Sequence, residues 1–372
     1  MFFYGTLRHD PLLKRVMGCS APDIVPAVLP DHAVNWVAGE AFPMIQKSPG
    51  SEALGVVLRN PTPEQIARLD FYEGGFAYDL ETVQVQTEAG TQSAQVFFPQ
   101  PGLWSPGDPW SLQDWIDEWS GVSMDAARSI MAQYGKISRA EAQNLLPYLR
   151  SRAWAQKLAE DTAPCTVRYN PAPEDVTLLP ETRGGYDGFF RLRPLTLQHR
   201  QFAGGQGPVI KREAFVAYDA ALVLPYDPVL DSVLLIEQLR YGPICRNDSA
   251  PWVLEPVAGL VDAGEDPEQT ARREAEEEAG LTMGALLKIN KVYPSPGYSS
   301  EFFHCYLGLC DLSGREAQLG GLDSEAEDIR SHVVSFDEAM ALVETGEINA
   351  APLAMMLYWL AARREDLRAN QS

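Results

Sequence analysis

The sequence is poor in positive charge: 30 Lys and Arg residues stand against 51 Asp and Glu residues, and the formal net charge is −21. Nucleic acid and anionic membranes are held by basic surfaces, so we expect neither as a partner. A small anionic substrate stays compatible with this charge, because bound metal ions make a local site cationic. The sequence also contains no apolar run long enough to cross a bilayer.

Cysteine is scarce as well. The five cysteines form an odd set without a Cys-x-x-Cys spacing, and alternating apolar neighbours around the nearest pair, Cys305 and Cys310, suggest a strand. We expect reduced, partly buried thiols. The opening residues, MFFYGTLRHD, lack the basic start, the apolar stretch and the small-residue cleavage site of a signal peptide. A cytoplasmic location is therefore expected.

The length of the chain predicts several domains, because 372 residues exceed one ordinary domain. Residues 1 to about 100 alternate short strands with turns. They contain one helical pattern, TPEQIARLDFYEG, in which Thr62 is the N-cap and Pro63 takes the first helical position. This arrangement predicts a small α+β domain resembling a β-barrel.

The composition then changes, and helical patterns follow a stretch rich in Pro, Gly and Trp. Ser138 and Glu141 are spaced as a capping box, and Pro147 interrupts or kinks the helix that they begin. We interpret this region as a helical connector. The predicted division is a domain at 1–118, a connector at 119–165 and a second domain at 166–372.

Strands return in the second domain. FVAYDAALVLPYD and DSVLLIEQLRYG are apolar runs bounded by turn residues, as buried strands are. Helical patterns lie between and after the strands, without the strict alternation of a parallel sheet. The sequence therefore predicts an α/β/α sandwich built on a mixed sheet.

One short helical segment, RREAEEEAGL, concentrates negative charge. Glu274, Glu277 and Glu278 have the spacing i, i+3, i+4 and project side by side. Like charges at this spacing cost a few tenths of a kcal/mol per pair. Clustered carboxylates are the ligands that Mg²⁺ or Mn²⁺ prefers, and metal binding to the folded state would offset the repulsion. A solvated acidic surface is the alternative, but it does not explain Gly259, Arg273 and their fixed spacing.

The segment from Gly259 to Leu281 resembles the Nudix box, G-x5-E-x7-R-E-U-x-E-E-x-G-U, at every specified position, with Ala275 as the aliphatic residue. The resemblance extends over about 166–372 and is strongest to the ADP-ribose pyrophosphatase branch. There a proline sixteen residues past the box glycine Gly280 marks ADP-ribose specificity, and Pro296 stands at that place. The resemblance implies Mg²⁺-dependent hydrolysis of ADP-ribose to AMP and ribose 5-phosphate, with Mn²⁺ as the alternative ion.

The resemblance also implies roles for individual residues. Glu274 and Glu278 would bind metal directly, Glu277 would bind it directly or through water as part of the catalytic set, and the Ala258 carbonyl would complete the ligands. Gly259, Glu265, Arg273 and Gly280 would be structural, with Arg273 paired to Glu265. In the acidic segment GGLDSEAEDIR, Glu325 would be the general base and Glu327 would lie near the metals.

In the same family two subunits share each site, so a homodimer is implied. Phe189 would stack on adenine, while Arg212, Arg240 and Glu301 would contact the ligand, some of them from the partner chain. Tyr298 stands where a small residue is expected, so ADP-glucose or another ADP-sugar stays open as the substrate. A nucleotide-sensing module that binds ADP-ribose without turnover is the alternative function; the complete acidic set of the box favours an enzyme.

The N-terminal segments FFYGTLRHD and LDFYEGGFAYDLETVQV resemble the γ-glutamylcyclotransferase fold, also called AIG2-like. By this resemblance, backbone N–H groups of Tyr4, Gly5, Thr6 and Leu7 would hold a γ-glutamyl carboxylate, and Glu73 would be the catalytic glutamate. A fold retained for packing or ligand sensing is the alternative. The fusion of the two modules resembles a bacterial group associated with tellurite resistance.

Overall fold

The computed structural model describes residues 1–73, 78–160, 169, 172–181, 184–315, 318–321 and 327–369. The chain divides into two compact units. The first comprises Met1–Thr162 and Asp262–Gly264, and the second comprises Ala163–Val261 and Glu265–Ser372. Within the described residues, no helix combines the length and the apolar character needed to span a membrane.

The first unit contains one antiparallel sheet. Its strands are β1 (Phe2–Phe3), β2 (Ile24–Val37), β3 (Pro43–Leu58), β4 (Tyr78–Thr87), β5 (Gly90–Pro99) and β6 (Pro106–Pro109). Their order is β1-β3-β2-β4-β5, with β6 paired to β2. No ladder joins β1 to β5 in the described part of the chain, where the sheet is therefore open and does not close into the barrel suggested by the sequence.

The helices of the first unit share one core. They are α1 (Asp10–Met17), α2 (Pro63–Glu73), α3 (Leu112–Met131) and α4 (Arg139–Leu158), preceded by a 3-10 turn at Thr6–Arg8. Leu12, Leu69, Trp115 and Leu146, one from each helix, are buried in a single cluster. The boundary predicted at residue 118 falls inside α3. Both helices of the predicted connector thus belong to the first unit, because their apolar sides complete its core.

The second unit begins with a small antiparallel sheet. Its strands are β7 (Val176–Leu179), β8 (Tyr186–Asp187), β9 (Arg191–His199) and β10 (Ile210–Val216). Their order is β10-β9-β7, with β8 paired to β9.

A larger mixed sheet follows. Its strands are β11 (Asp219–Asp227), β12 (Ser232–Leu239), β13 (Trp252–Glu255), β14 (Val257–Leu260), β15 (Leu286–Val292), β16 (Phe302–Leu309), β17 (Leu319–Gly320) and β18 (Ile329–Ser335). The order is β15-β16-β11-β12-β18-β17, with β13 on β12 and β14 on β11. β11 and β16 are parallel, and their other partners are antiparallel. The predicted mixed sheet is therefore confirmed.

Helices cover both sides of this sheet, as the predicted sandwich requires. They are α5 (Tyr241–Arg246), α6 (Pro267–Ala279), α7 (Phe336–Thr345), α8 (Ala351–Ala361) and α9 (Arg364–Ala369). One side buries Leu222, Leu224 and Leu235 against α7 and α8. The other side lies under α6, whose buried residues Ala271 and Ala275 are small enough for close approach to the strands.

The ends of α6 follow from local sequence. The Asp266 side chain accepts a hydrogen bond from the Glu268 N–H at 2.8 Å, and Pro267 takes the first helical position. Gly280 ends the helix with φ +57°, a left-handed conformation that favours glycine. The segment RREAEEEA therefore lies in a helix of defined length, with Glu274, Glu277 and Glu278 on one side.

Candidate active site

The three box glutamates lie where α6 meets β14. Glu278 is buried, and its Oε2 accepts a hydrogen bond from the Ala258 N–H at 3.0 Å. Glu274 packs against Gly259, where a Cβ would come within 2.5 Å of the Glu274 Cγ. Glu277 is half-buried. The absence of a side chain at Gly259 thus leaves room for a carboxylate between helix and strand.

Burial raises the pKa of two of these glutamates well above the ordinary value. Desolvation raises the pKa of Glu278 to about 9, and the charges of Glu274 and Glu327 add to this shift. Desolvation also raises the pKa of Glu274 to about 7, with Arg273 opposing the shift. Carboxylates held so close together and out of water disfavour their charged forms. A cation bound among them would restore the charged forms.

Arg273 connects the box helix to the loop before it. Its Nε and Nη2 donate to the two carboxylate oxygens of Glu265 at 2.9 and 3.1 Å. Its Nη1 donates to Glu274 at 2.7 Å and to Glu277 at 2.8 Å. The two-point bond to Glu265 is the pairing inferred from the sequence, and it fixes the loop on the helix.

The donor set fits a hard divalent cation. Glu274, Glu277, Glu278 and Glu327 are the residues that could hold it through carboxylate oxygens, and the charge of Arg273 opposes the raised pKa of Glu274. As the side chains stand, no three acidic, histidine or cysteine residues of the described chain already converge on one point. The space left by Gly259 nevertheless admits the Glu274 carboxylate, whose Oε1 lies where a Cβ would be. Oxygen-rich sites of this kind suit Mg²⁺ or Mn²⁺.

The acidic segment that follows β17 begins beside the box helix. A Cβ on Gly320 would overlap the Glu278 carbonyl, lying 2.9 Å from its carbon. Gly321 has φ +93°, and a Cβ there would be 2.8 Å from the Glu327 Cβ. Glu327 is therefore held near the box carboxylates. Glu325, the predicted general base, lies outside the described residues.

A second charged group lies next to the glutamates. Arg240, directly after β12, donates from Nε to Glu255 Oε2 at 2.7 Å. Burial raises the pKa of Glu255 and of Glu301, and Arg240 opposes both shifts. Arg240 also lowers the pKa of Glu278. The structure thus brings together Arg240 and Glu301, two predicted ligand residues, with the box.

Glu255 was missed by sequence reasoning. It ends the apolar strand β13 and lies opposite Ile236 of β12. An acidic residue at the end of the run PWVLE, just before the box, is the sequence signal that could have identified it. Its carboxylate is paired with the Arg240 guanidinium, which follows the neighbouring strand β12.

The other predicted ligand residues lie elsewhere in the second unit. Phe189 is 42% exposed, with its ring 5.5 Å from that of Tyr218. Arg212 is exposed on β10 and donates to the Lys211 carbonyl at 2.8 Å. Pro296 lies in an exposed turn. The structure therefore places Arg212 in the small sheet and not in the group around Arg240.

In the first unit, the predicted residues line one pocket. The pocket is partly open to solvent. The five predicted residues in its wall are Tyr4, Gly5, Thr6, Leu7 and Glu73, and the rest of the wall is mainly aromatic. A Cβ on Gly5 would lie 2.8 Å from the Pro43 Cγ, so glycine allows the loop to approach β3.

Glu73 is the acidic residue of this pocket wall. Desolvation raises its pKa to about 8. Burial raises the pKa of Tyr4 and Tyr78 as well, and the charge of Glu73 adds to both shifts. The tyrosine hydroxyls donate to backbone carbonyls, Tyr4 to Phe97 at 3.0 Å and Tyr78 to Pro43 at 2.7 Å. Tyr78 was not predicted; the aromatic residues in FYEGGFAY were its sequence signal.

A mixed sheet between helices, with a glycine-preceded acidic helix on one side, is the arrangement expected of the Nudix class. The family model described as the NUDIX domain matches residues 218–356. The model described as gamma-glutamyl cyclotransferase, AIG2-like, matches residues 1–117.

Curated relatives match the second unit at high identity. An ADP-ribose pyrophosphatase of Haemophilus influenzae is 40% identical over 199 residues, which cover 53% of this chain and 91% of that protein. An ADP-ribose pyrophosphatase of Escherichia coli K12 is 40% identical over 183 residues, covering 49% and 87%. A GDP-mannose pyrophosphatase of Citrobacter koseri is 32% identical over 176 residues, covering 47% and 89%. The chain therefore belongs to the Nudix hydrolase family and carries an AIG2-like domain before the Nudix domain. The association with tellurite resistance stays a prediction.

Proposed function

We propose that the second unit hydrolyses the pyrophosphate of ADP-ribose or a related nucleoside diphosphate sugar, with Mg²⁺ or Mn²⁺ as cofactor. Water adds to one phosphorus and the anhydride P–O bond breaks, so ADP-ribose gives AMP and ribose 5-phosphate. The observation that carries this proposal is the packing of Glu274 and Glu278 against Gly259 and Ala258, with Glu277 alongside. The relatives named ADP-ribose pyrophosphatase support the substrate class.

The protein contributes fixed carboxylate groups that would bind the cation, and an arginine that orients them. Glu274, Glu277 and Glu278 would hold the cation, which when bound neutralises the pyrophosphate and lowers the pKa of attacking water. Arg273 fixes two of these carboxylates and the loop residue Glu265 at once. Phosphoryl transfer depends mainly on positioning and charge neutralisation. We therefore assign these residues the role of positioning the cation and, through it, the pyrophosphate.

Arg240 is the residue proposed to bind a substrate phosphate. It is the cation beside Glu278, and its bond to Glu255 uses Nε. A guanidinium held by one edge can present its other N–H groups to phosphate oxygens. Glu301 would accept hydrogen bonds from the ligand, and the effect of the Arg240 charge on its pKa supports this assignment.

Proton removal from the attacking water is assigned to Glu325 by family resemblance. The described neighbour Glu327 raises the pKa of both Glu274 and Glu278. That electrostatic effect supports a position of Glu327 near the box glutamates.

The test is turnover of a substrate panel by the full chain. Purified protein with Mg²⁺ is incubated with ADP-ribose, ADP-glucose and GDP-mannose, and nucleoside monophosphate is separated by chromatography. We expect AMP from ADP-ribose and none in EDTA. Tight binding of ADP-ribose without any product would contradict an enzyme and support the nucleotide-sensing alternative.

For the first unit we propose γ-glutamyl cyclotransferase activity. The α-amine of a γ-glutamyl compound attacks its γ-carbonyl, 5-oxoproline forms, and the amine on the other side leaves. Glu73 would take the proton of the attacking amine and return one to the leaving amine. A carboxyl whose pKa is raised to about 8 by desolvation suits both steps near neutral pH. The alternative is a pocket that binds without turnover.

We further propose that the protein is a homodimer. Large apolar side chains are exposed on and beside the small sheet of the second unit: Val176, Leu178, Tyr186, Phe190 and Phe215. Concentrated apolar exposure of this kind marks an interaction surface. Arg212 lies on β10 of this same sheet, and we assign it to contact with the partner chain.

A further inference from the structure

Two buried side chains outside the box, Asp219 and His304, form a bond that the proposed chemistry does not use. Asp219 opens β11, and His304 lies in β16, which runs parallel to it. Nε2 of His304 is 2.8 Å from Oδ2 of Asp219, and the residues are 4% and 6% exposed, respectively. Nδ1 of His304 is buried without a hydrogen-bond partner in the described part of the chain. The bond to Asp219 therefore fixes the ring.

The bond ties two strands at the ends where predicted ligand residues emerge. Glu301 immediately precedes Phe302, the first residue of β16. Tyr218 immediately precedes Asp219 and donates its hydroxyl hydrogen to the Phe189 carbonyl. The Phe302 N–H donates to the Tyr218 carbonyl at 3.3 Å. Any shift between the two strand ends would thus change the distance between Phe189 and Glu301.

Asp219 is also bonded to the loop that leads into the box helix. Its backbone carbonyl accepts a hydrogen bond from the Val261 N–H at 3.0 Å. Val261 directly follows β14, the strand that contains Gly259. The strand register places Gly259, Ala221 and His304 side by side across β14, β11 and β16. Asp219 is therefore connected both to the proposed nucleotide-binding residues and to the strand that carries Gly259.

A polar pair at this place has a cost that an apolar pair would not have. A buried carboxylate is unfavourable unless it is hydrogen-bonded, and removing its partner exposes the full penalty. Satisfied buried polar bonds, in return, select one arrangement of the strands that carry them.

We propose that Asp219 and His304 are a positioning pair whose bond sets the spacing of Phe189 and Glu301 and thereby the affinity for the nucleotide. The inference rests on the proposed pyrophosphatase function. The side-chain bond fixes β11 against β16, the strands that Tyr218 and Glu301 precede, whereas Val261 is held by the Asp219 backbone carbonyl, which a change at His304 leaves in place. Loss of the bond should therefore raise KM more than it lowers kcat.

The first experiment compares three variants of the full chain. His304→Phe keeps a ring but removes the donor, and KM for ADP-ribose should rise about tenfold while kcat and the Mg²⁺ midpoint change less than about twofold. His304→Gln can donate from a position near Nε2 and should restore KM to within about threefold of wild type. The control is Cys305→Ala, buried on the opposite side of the same strand, which should leave KM unchanged.

A double variant separates positioning from general stability. Asp219→Asn combined with His304→Phe leaves no buried charge, so thermal stability should return while KM stays raised. Return of KM together with stability would overturn the proposal, as would a wild-type KM in His304→Phe. If His304→Phe does not fold, the double variant alone decides.

Failure of the proposed function gives a different result. If wild-type protein hydrolyses no compound of the panel, the same variants are compared by calorimetric binding of ADP-ribose. If the pair positions the nucleotide, Kd should rise about tenfold in the double variant and stay unchanged in Cys305→Ala. An equal Kd in wild type and double variant, or no measurable binding by the wild type, contradicts the positioning role.

Discussion

The side chain of Glu274 occupies the space that a side chain on Gly259 would fill. A Cβ on Gly259 would come within 2.5 Å of the Glu274 Cγ and closer still to the carboxylate. Gly259 lies in β14 and does not have a positive φ. The glycine is therefore required by this close approach and not by backbone conformation.

Gly259→Ala should consequently displace Glu274 while leaving the fold intact. Because the added methyl group meets a side chain and not backbone, the structure can adjust by moving the carboxylate away. We expect at least about a hundredfold loss of turnover with a small change in Tm. Steady-state hydrolysis of ADP-ribose and a thermal melt measure the two quantities.

The matched control for that change is Gly121→Ala. Gly121 lies inside α3, and a Cβ there would meet nothing within 4 Å. Alanine should stabilise the helix by roughly 0.5–1 kcal/mol without affecting hydrolysis. Equal activity in Gly259→Ala and Gly121→Ala would refute the role assigned to the close approach.

Glu278→Gln should abolish most hydrolysis. It keeps the volume of a buried residue but removes a proposed metal ligand. We expect a loss of at least about a hundredfold in kcat, roughly 3 kcal/mol of transition-state stabilisation. Glu276→Gln, exposed on the same helix, is the control and should retain wild-type turnover. Near-normal activity of Glu278→Gln at saturating Mg²⁺ would disprove the ligand assignment.

The raised pKa of Glu278 predicts how stability depends on pH. Its pKa is about 9 in the folded protein against an ordinary 4.5, so between these values the folded state binds more protons than the unfolded state. The stabilisation by the protonated carboxyl is complete below about pH 4.5 and is lost as pH rises toward about 9.

In EDTA, Tm should therefore fall from about pH 6 to about pH 9, and it should fall less in Glu278→Gln. Mg²⁺ binds the charged carboxylates, so it should raise Tm more at the higher pH. Differential scanning fluorimetry across pH, with and without EDTA, makes the measurement. Identical slopes for wild type, Glu278→Gln and Glu276→Gln would contradict the assigned pKa.

Glu73→Gln should abolish release of 5-oxoproline from γ-glutamyl dipeptides and amines. The assay needs the full chain, because α3 and α4 complete the core of the first unit. Activity should not depend on Mg²⁺. Glu81→Gln, exposed on β4, is the matched control. Product formation that survives Glu73→Gln would refute the residue assignment but keep the activity, whereas a wild type that forms no product would leave the pocket as a binding site or scaffold.

Subunit mixing tests the homodimer. If Arg212 acts on the partner's site, mixed dimers of Arg212→Ala and Glu278→Gln contain one intact site. Random exchange should then restore about a quarter of wild-type activity. Mixing Glu274→Gln with Glu278→Gln should restore none, since both changes lie in the same box. A monomeric mass by light scattering at assay concentration would end this proposal.

Much of the box helix is determined by the sequence itself. The cap at Asp266 and the end at Gly280 depend on neighbours within one turn. The common side of Glu274, Glu277 and Glu278 follows from helical periodicity alone. Such local rules do not need the rest of the chain, which is why this part of the site could be predicted.

The tertiary structure decided which distant residues join that helix. Glu255 lies in β13 and Arg240 directly follows the neighbouring β12, so their bond depends on a register that no local pattern specifies. Asp219 and His304 are 85 positions apart, and only the parallel pairing of β11 and β16 brings them together. Long-range packing also decided that Trp115 of α3 lies in the first unit's core. The apolar side of a helix indicates that this side is buried, but it does not indicate which element covers it.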